Sequence, residues 1–110
     1  MHKIIYSTAA LLDLEQIGDY IADMLKNPIA ALNTVGKIQD AIDILADFPL
    51  SGAPLSSVSD IDTDYRFLVC GNHLAFYRVL ENSVYIDRVL YGRRDYLAIL
   101  FRDLPQESLE

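Results

Sequence analysis

At 110 residues, 52% of them hydrophobic, the chain is long enough for one small domain that buries its own core. Its formal net charge of -7 excludes a protein that binds nucleic acid over its whole surface, because phosphate contacts need a basic face. Cys70 is the sole cysteine, which excludes a disulfide framework and a paired-cysteine metal site. His2 and His73 are too few for a His-rich zinc site, so no metal and no cofactor is expected. No run approaches the roughly 20 apolar residues of a membrane span, and Asp13 and Glu15 come too early for a secretory leader, so a cytoplasmic protein without a membrane partner is expected.

The opening run KIIYS is β-branched and aromatic and hands over at Ser7 or Thr8, either of which suits a helix cap. Leu11, Leu14, Ile17, Ile21 and Leu25 then recur at helical spacing, with Asp13, Gln16, Asp19 and Asp23 off that stripe. Asn27 suits the next N-cap and Pro28 the first helical position, where a missing N–H costs nothing. Val35, Ile38, Ile42 and Leu45 form the second apolar stripe, so the two helices make an antiparallel hairpin, weakened by about 1 kcal/mol at Gly36 relative to alanine.

The stretch SGAPLSSVSDIDTD reads as a polar loop joining two halves that could not bury their apolar faces separately. Beyond it the period changes. YRFLVC, HLAFYRVL and SVYIDRVLY are strand-length runs separated by Gly71-Asn72 and Glu81-Asn82, which predicts an antiparallel meander. Alternation puts Arg66 with Leu68 and Cys70, Arg78 with Leu74 and Phe76, and Arg88 with Val84 and Ile86. Gly92 ends the last strand, and Leu97, Leu100 and Phe101 predict a short closing helix. The order β-α-α-β-β-β-α is an α+β layer: a small antiparallel sheet with an N-terminal helical hairpin on one face. A single domain is expected over 1–110, with a core of about 3–101 and an acidic tail at 102–110.

Charge divides along the chain. Residues 1–64 carry ten acidic side chains against Lys3, Lys26 and Lys37, whereas 65–102 carry six arginines against three acids. Nucleic-acid contact is therefore open only to a local arginine patch. Arg66, Arg78, Arg88, Arg93, Arg94 and Arg102 alternate with Tyr65, Tyr77, Tyr85, Tyr91 and Tyr96. That mixture suits phosphate clamping with base stacking. It suits a protein interface equally, and internal pairing with acids is the third option. His73, after a turn, is read as a surface histidine, and Cys70, among apolar neighbours, as a small buried hydrophobe.

The start KIIYSTAALLDLEQIGDYI, the hairpin end ILADFPLSG and above all the block YRFLVCGNHLAFYRVLENSVYIDRVLYGRRDY resemble the RelE/ParE superfamily, the toxins of bacterial type II toxin–antitoxin modules. The resemblance spans roughly residues 3 to 101 and implies a compact toxin neutralised by a cognate antitoxin. RelE-like members cut messenger RNA on the ribosome with basic residues and a tyrosine or histidine. ParE-like members resemble inhibitors of DNA gyrase. Arg66 matches the first of two nuclease lysines and Arg94 the arginine after the final strand. Leu68, Leu74 and Leu100 stand at three other nuclease positions, with Tyr96 one turn before the last.

The resemblance therefore lies nearer the ParE branch. It implies a plasmid-stabilisation toxin acting on DNA gyrase, for which catalysis is not required. Target contact is expected at Arg93, Arg94 and Tyr96, with Arg88, Arg78 and Arg66 as further members. The alternatives are a ribosome-dependent endoribonuclease acting on mRNA through Arg66, Arg94 and Tyr96, and a degenerate non-toxic binding protein. A homodimer or a toxin–antitoxin hetero-oligomer is the expected assembly.

Overall fold

Strand β1 (Lys3–Tyr6) ends at Ser7, whose hydroxyl accepts from the Ala10 amide at 2.9 Å and donates to the Asp87 carbonyl at 2.8 Å. One side chain thereby caps helix α1 (Thr8–Leu25) and ties its start to a strand 80 residues away. Lys26 closes α1 in the left-handed region at φ 51°, and Asn27 opens helix α2 (Pro28–Asp43) by accepting from the amides of Ile29 and Ala30. These contacts come from a computed structural model described over residues 1–58, 63–92 and 96–101; the remaining residues, Arg93, Arg94, Asp95 and Arg102 among them, lie outside the described part.

A single helical turn at Ile44–Ala46 follows α2, and the loop beyond it contributes a two-residue strand, β2 (Ala53–Pro54), and another single turn, Leu55–Ser57. Then come β3 (Arg66–Cys70), β4 (His73–Leu80), β5 (Ser83–Tyr91) and helix α3 (Tyr96–Leu100). The sheet order is β1-β5-β4-β3-β2. The meander is antiparallel as expected, while β1 adds a parallel pair, Lys3 opposite Ser83 through Tyr6 opposite Ile86. Parallel pairing needs a long connection, and the intervening hairpin and meander supply it.

The sheet buries both faces. Leu14 of α1, Ile38 and Ile42 of α2, and Leu45 just beyond it meet Ala75, Tyr77, Val84, Ile86 and Val89 in the larger core. On the opposite face Leu55, Phe76 and Leu90 are buried beneath Tyr96, Leu97, Leu100 and Phe101, so α3 covers what the hairpin leaves open. Each large side chain fully withdrawn from water contributes about 1.5–3 kcal/mol.

Two expectations need correcting. On α1 the inward row is Ala10, Leu14 and Ile17, with Ile21 half-buried beyond them; Leu11 and Leu25 stand outside it at 53% and 63% exposure, and Asp13 is buried instead. On β5 the alternation breaks. Phe76 faces Arg88 while Tyr77 faces Ile86, which leaves Asp87 as an extra residue. Val84 and Ile86 belong to the hairpin-side core, yet beyond the bulge it is Val89 that joins them and Leu90 that turns to the other face. Arg88 therefore does not share a simple face with Val84 and Ile86.

Candidate functional site

The three described arginines among the expected site residues are each held by a different partner. Arg88 makes a two-pronged contact with Asp13, Nε to Oδ2 at 2.8 Å and Nη2 to Oδ1 at 2.9 Å, and the Val89 amide donates to the same carboxylate at 2.9 Å. With β1 ending at Tyr6, Asp13 of α1 takes the place of a neighbouring strand for Val89. Its hydrogen bonds hold the Arg88 proton more firmly than in water. Arg66 reaches away from the sheet to the Gly52 carbonyl, at 2.8 Å from Nη2, and to the Leu50 carbonyl at 3.2 Å.

Tyr77 completes that clamp by donating to the Pro49 carbonyl at 2.8 Å and accepting from the Gly52 amide at 2.9 Å. Only glycine fits at position 52, since a Cβ there would sit 2.5 Å from the Phe67 carbonyl oxygen and 2.6 Å from the Tyr77 hydroxyl. Arg78 pairs with Asp87 at 2.8 Å on the opposite face and lies 5.3 Å above the Tyr65 ring. Burial, followed by its hydrogen bond to Asp87, pushes the Tyr65 hydroxyl up to about 12, so at neutral pH it stays a proton donor to that carboxylate.

Internal pairing is thus what the fold makes of Arg66, Arg78 and Arg88, at three separate places. Tyr96 opens α3 and lays its ring 5.3 Å from that of Phe76, at an interplanar angle of 31°. Leu74, at a position where nucleases are basic, packs into the small core with Phe76. Arg93 and Arg94 follow directly on Gly92, whose amide donates to the Asn72 carbonyl at 2.9 Å, and fall outside the described residues.

The sequence did not disclose a cleft of about 990 Å³ between the hairpin and the strand ends. One wall is the turn half of the hairpin, with Ile17, Tyr20, Ile21 and Leu25 from α1 and Lys37 from α2; the other runs from Val69 to His73 and from Val89 to Tyr91. The cleft is mostly apolar, and its walls remain open: Tyr20 is 65% exposed, Leu25 63% and Val69 63%. Beside it, β2 pairs only with Arg66 and Phe67, so no strand among the described residues covers Leu68 to Cys70.

His73 stacks edge-on against Tyr91 at 5.7 Å in this cleft, and burial holds its imidazole below the ordinary 6.5. Burial pushes the Cys70 thiol up to about 11, which leaves it an inert part of the wall. The cleft therefore offers apolar surface, one cation and a free strand edge, which suits docking of a polypeptide. Among the described residues no three His, Cys, Asp or Glu side chains gather as a metal site, and no helix is long and apolar enough to cross a membrane.

Comparison with known proteins agrees with this architecture. The family model "ParE toxin of type II toxin-antitoxin system, parDE" matches residues 4–96. A solved structure titled "Chromosomal ParDE TA system from P. aeruginosa" superposes with a TM-score of 0.70 at 25% identity, covering 83% of this chain and 96% of that one. A structure of YafQ from E. coli strain BL21(DE3) is more distant, with a TM-score of 0.49 at 16% identity over 92% of this chain and 99% of that one. Among curated proteins none is similar enough to count as a match. With the family matched over nearly its whole length, on a fold shared with a ParDE system, the chain belongs to the ParE toxin family of type II toxin–antitoxin systems.

Proposed function

We propose that the chain is a cytoplasmic toxin that inhibits DNA gyrase and is neutralised by an antitoxin lying in the cleft between the hairpin and the strand ends. The observation that carries the target assignment is what the sheet presents at the positions where the nuclease branch of the superfamily is basic. Leu68 and Leu74 are apolar, and Arg66 spends its guanidinium on the Gly52 and Leu50 carbonyls. A phosphoryl-transfer site that relies on preorganised positive charge has little to work with there. The ParE family match supports the same branch.

Target contact on this reading is centred on Arg93, Arg94 and Tyr96 after the last strand, with Arg66, Arg78 and Arg88 chiefly holding the surface in shape. The antitoxin's place is supported by the exposed apolar walls and the unpaired edge of β3, which suit a helix laid in a groove or an added strand. The solved relative's title names a ParDE system, and a ParD-like partner is the corresponding proposal here.

Controlled expression in a bacterial host tests the target. Loss of DNA supercoiling or a DNA-break response, with translated messages intact and the effect abolished by Arg93→Ala with Arg94→Ala, is the expected result. Codon-positioned cleavage of messages would overturn it in favour of the ribosome-dependent nuclease. A harmless chain would point to the degenerate binding protein.

A further inference from the structure

We propose that Lys37 is a specificity determinant for the antitoxin: the segment filling the cleft sets one carboxylate, at the margin of an otherwise uncharged apolar face, against the Lys37 ammonium. The inference rests on the reading that the antitoxin lies in the cleft, and adds which side chain of the toxin selects it and by what chemistry.

Of the described residues lining the cleft, two carry a formal charge at neutral pH, Asp13 and Lys37. Asp13 is already satisfied, because it receives the Arg88 guanidinium through Nε and Nη2 and the Val89 amide as well. Lys37 is exposed and has no ion pair among the described residues. Thr34 and Ala41, a turn away on either side, line the cleft with it, so Lys37 belongs to the row of α2 that faces the occupant. The other polar groups there are uncharged. Gln16 and Asn72 are amides, the Thr34 hydroxyl already donates to the Ala30 carbonyl at 3.0 Å, and burial keeps His73 neutral.

The carboxylates elsewhere on the hairpin do not cancel this charge. Glu15, Asp19, Asp23, Asp40 and Asp43 are exposed and none of them lines the cleft. With a Debye length of about 8 Å at physiological salt, charges off the lining row are largely screened from the occupant. Lys26, which closes α1 directly after the lining residue Leu25, is exposed and has the same sign as Lys37.

Three kinds of occupant can therefore be ranked. A cation opposite Lys37 meets like charge, and a wholly apolar face strips water from the ammonium without replacing it. A carboxylate replaces that water, and in an apolar groove the pair is screened less than on open surface. Because Lys37 is exposed, the pair discriminates between partners more than it holds them.

The test selects helical peptides from a displayed library with a fixed leucine and isoleucine stripe and randomised flanking positions. Selection is run in parallel on the full chain and on its Lys37→Glu variant, and binding is located by backbone amide shifts. Peptides that shift Val69 to His73 and Tyr20 to Leu25 should carry Asp or Glu at one flanking position. Exchanging that residue for its amide should weaken binding about three- to fivefold on the native chain and leave it unchanged on Lys37→Gln. Selection on Lys37→Glu should bring Lys or Arg to the same position. Cleft-bound peptides without a charge preference, or with Lys or Arg preferred on the native chain, would overturn the role of Lys37 and leave the cleft as the docking site. A library that yields no binder, or binders that shift only other surfaces, would overturn both.

Discussion

Two ion pairs of the same length, 2.8 Å, hold β5 at different places, one round its edge to α1 and one on the side that α3 covers, and differ in almost everything else. At the seam between α1 and β5, Asp13 is 8% exposed as a side chain and receives three hydrogen bonds, so its desolvation is offset only while Arg88 and the Val89 amide are in place. On the side that α3 covers, Arg78 is 46% exposed and shares Asp87 with Tyr65 under water's screening. Distance alone does not rank them. The seam fixes where the hairpin lies on the sheet, and so where the cleft opens, while the outer pair only tidies a surface.

Removing Asp13 should break the seam and gives the largest effect. Asp13→Ala leaves Arg88 and a strand amide unpaired, and is expected to cost about 3–5 kcal/mol in chemical denaturation. A loss below about 1 kcal/mol would show that the hairpin is held by its apolar contacts alone. Tyr77→Phe follows. It deletes the hydroxyl between Pro49 and Gly52 while keeping the ring in the core, with an expected loss of about 1–3 kcal/mol from an amide left without its acceptor.

Arg78→Ala should cost only about 0–1 kcal/mol, and a loss near that of Asp13→Ala would erase the contrast between the two pairs. The smallest effect belongs to His73 in the cleft. Burial lowers its folded pKa below 6.5, so the unfolded chain takes up the proton first. Stability from this group is complete above about 6.5 and is lost as pH falls from there through the folded pKa. His73→Gln should flatten that part of the melting-temperature profile between neutral and mildly acidic pH.

The same contrast explains what the sequence disclosed. Ser7, Asn27 and Pro28 act on their own neighbours, so both helix starts were legible, and the turn pairs at 71–72 and 81–82 bounded the meander correctly. The family could be recognised from the order and content of those elements. Asp13 was harder. Its partner lies 75 residues away, and the only local sign is that it stands three residues after Ala10 and four before Ile17, on the inward side of α1. The bulge at Asp87 has no glycine or proline to announce it, so counting by twos placed Arg88 on the wrong footing. Leu55 lay hidden in a segment read as polar loop although it is fully buried. The cleft could not be read either, because it depends on where the hairpin's turn half sits relative to the strand ends.

Of the candidate site, Arg66, Arg78 and Arg88 were identified by composition, but their partners, Gly52, Asp87 and Asp13, decide what those arginines are free to do. Tyr96 is placed against Phe76.

The most direct test of the target assignment uses purified chain, purified DNA gyrase and relaxed plasmid, with a reconstituted translation reaction run in parallel. The account expects supercoiling to be blocked in proportion to added toxin, relieved by Arg93→Ala with Arg94→Ala, while messages on the ribosome stay whole. Undisturbed supercoiling together with cleaved messages would contradict it.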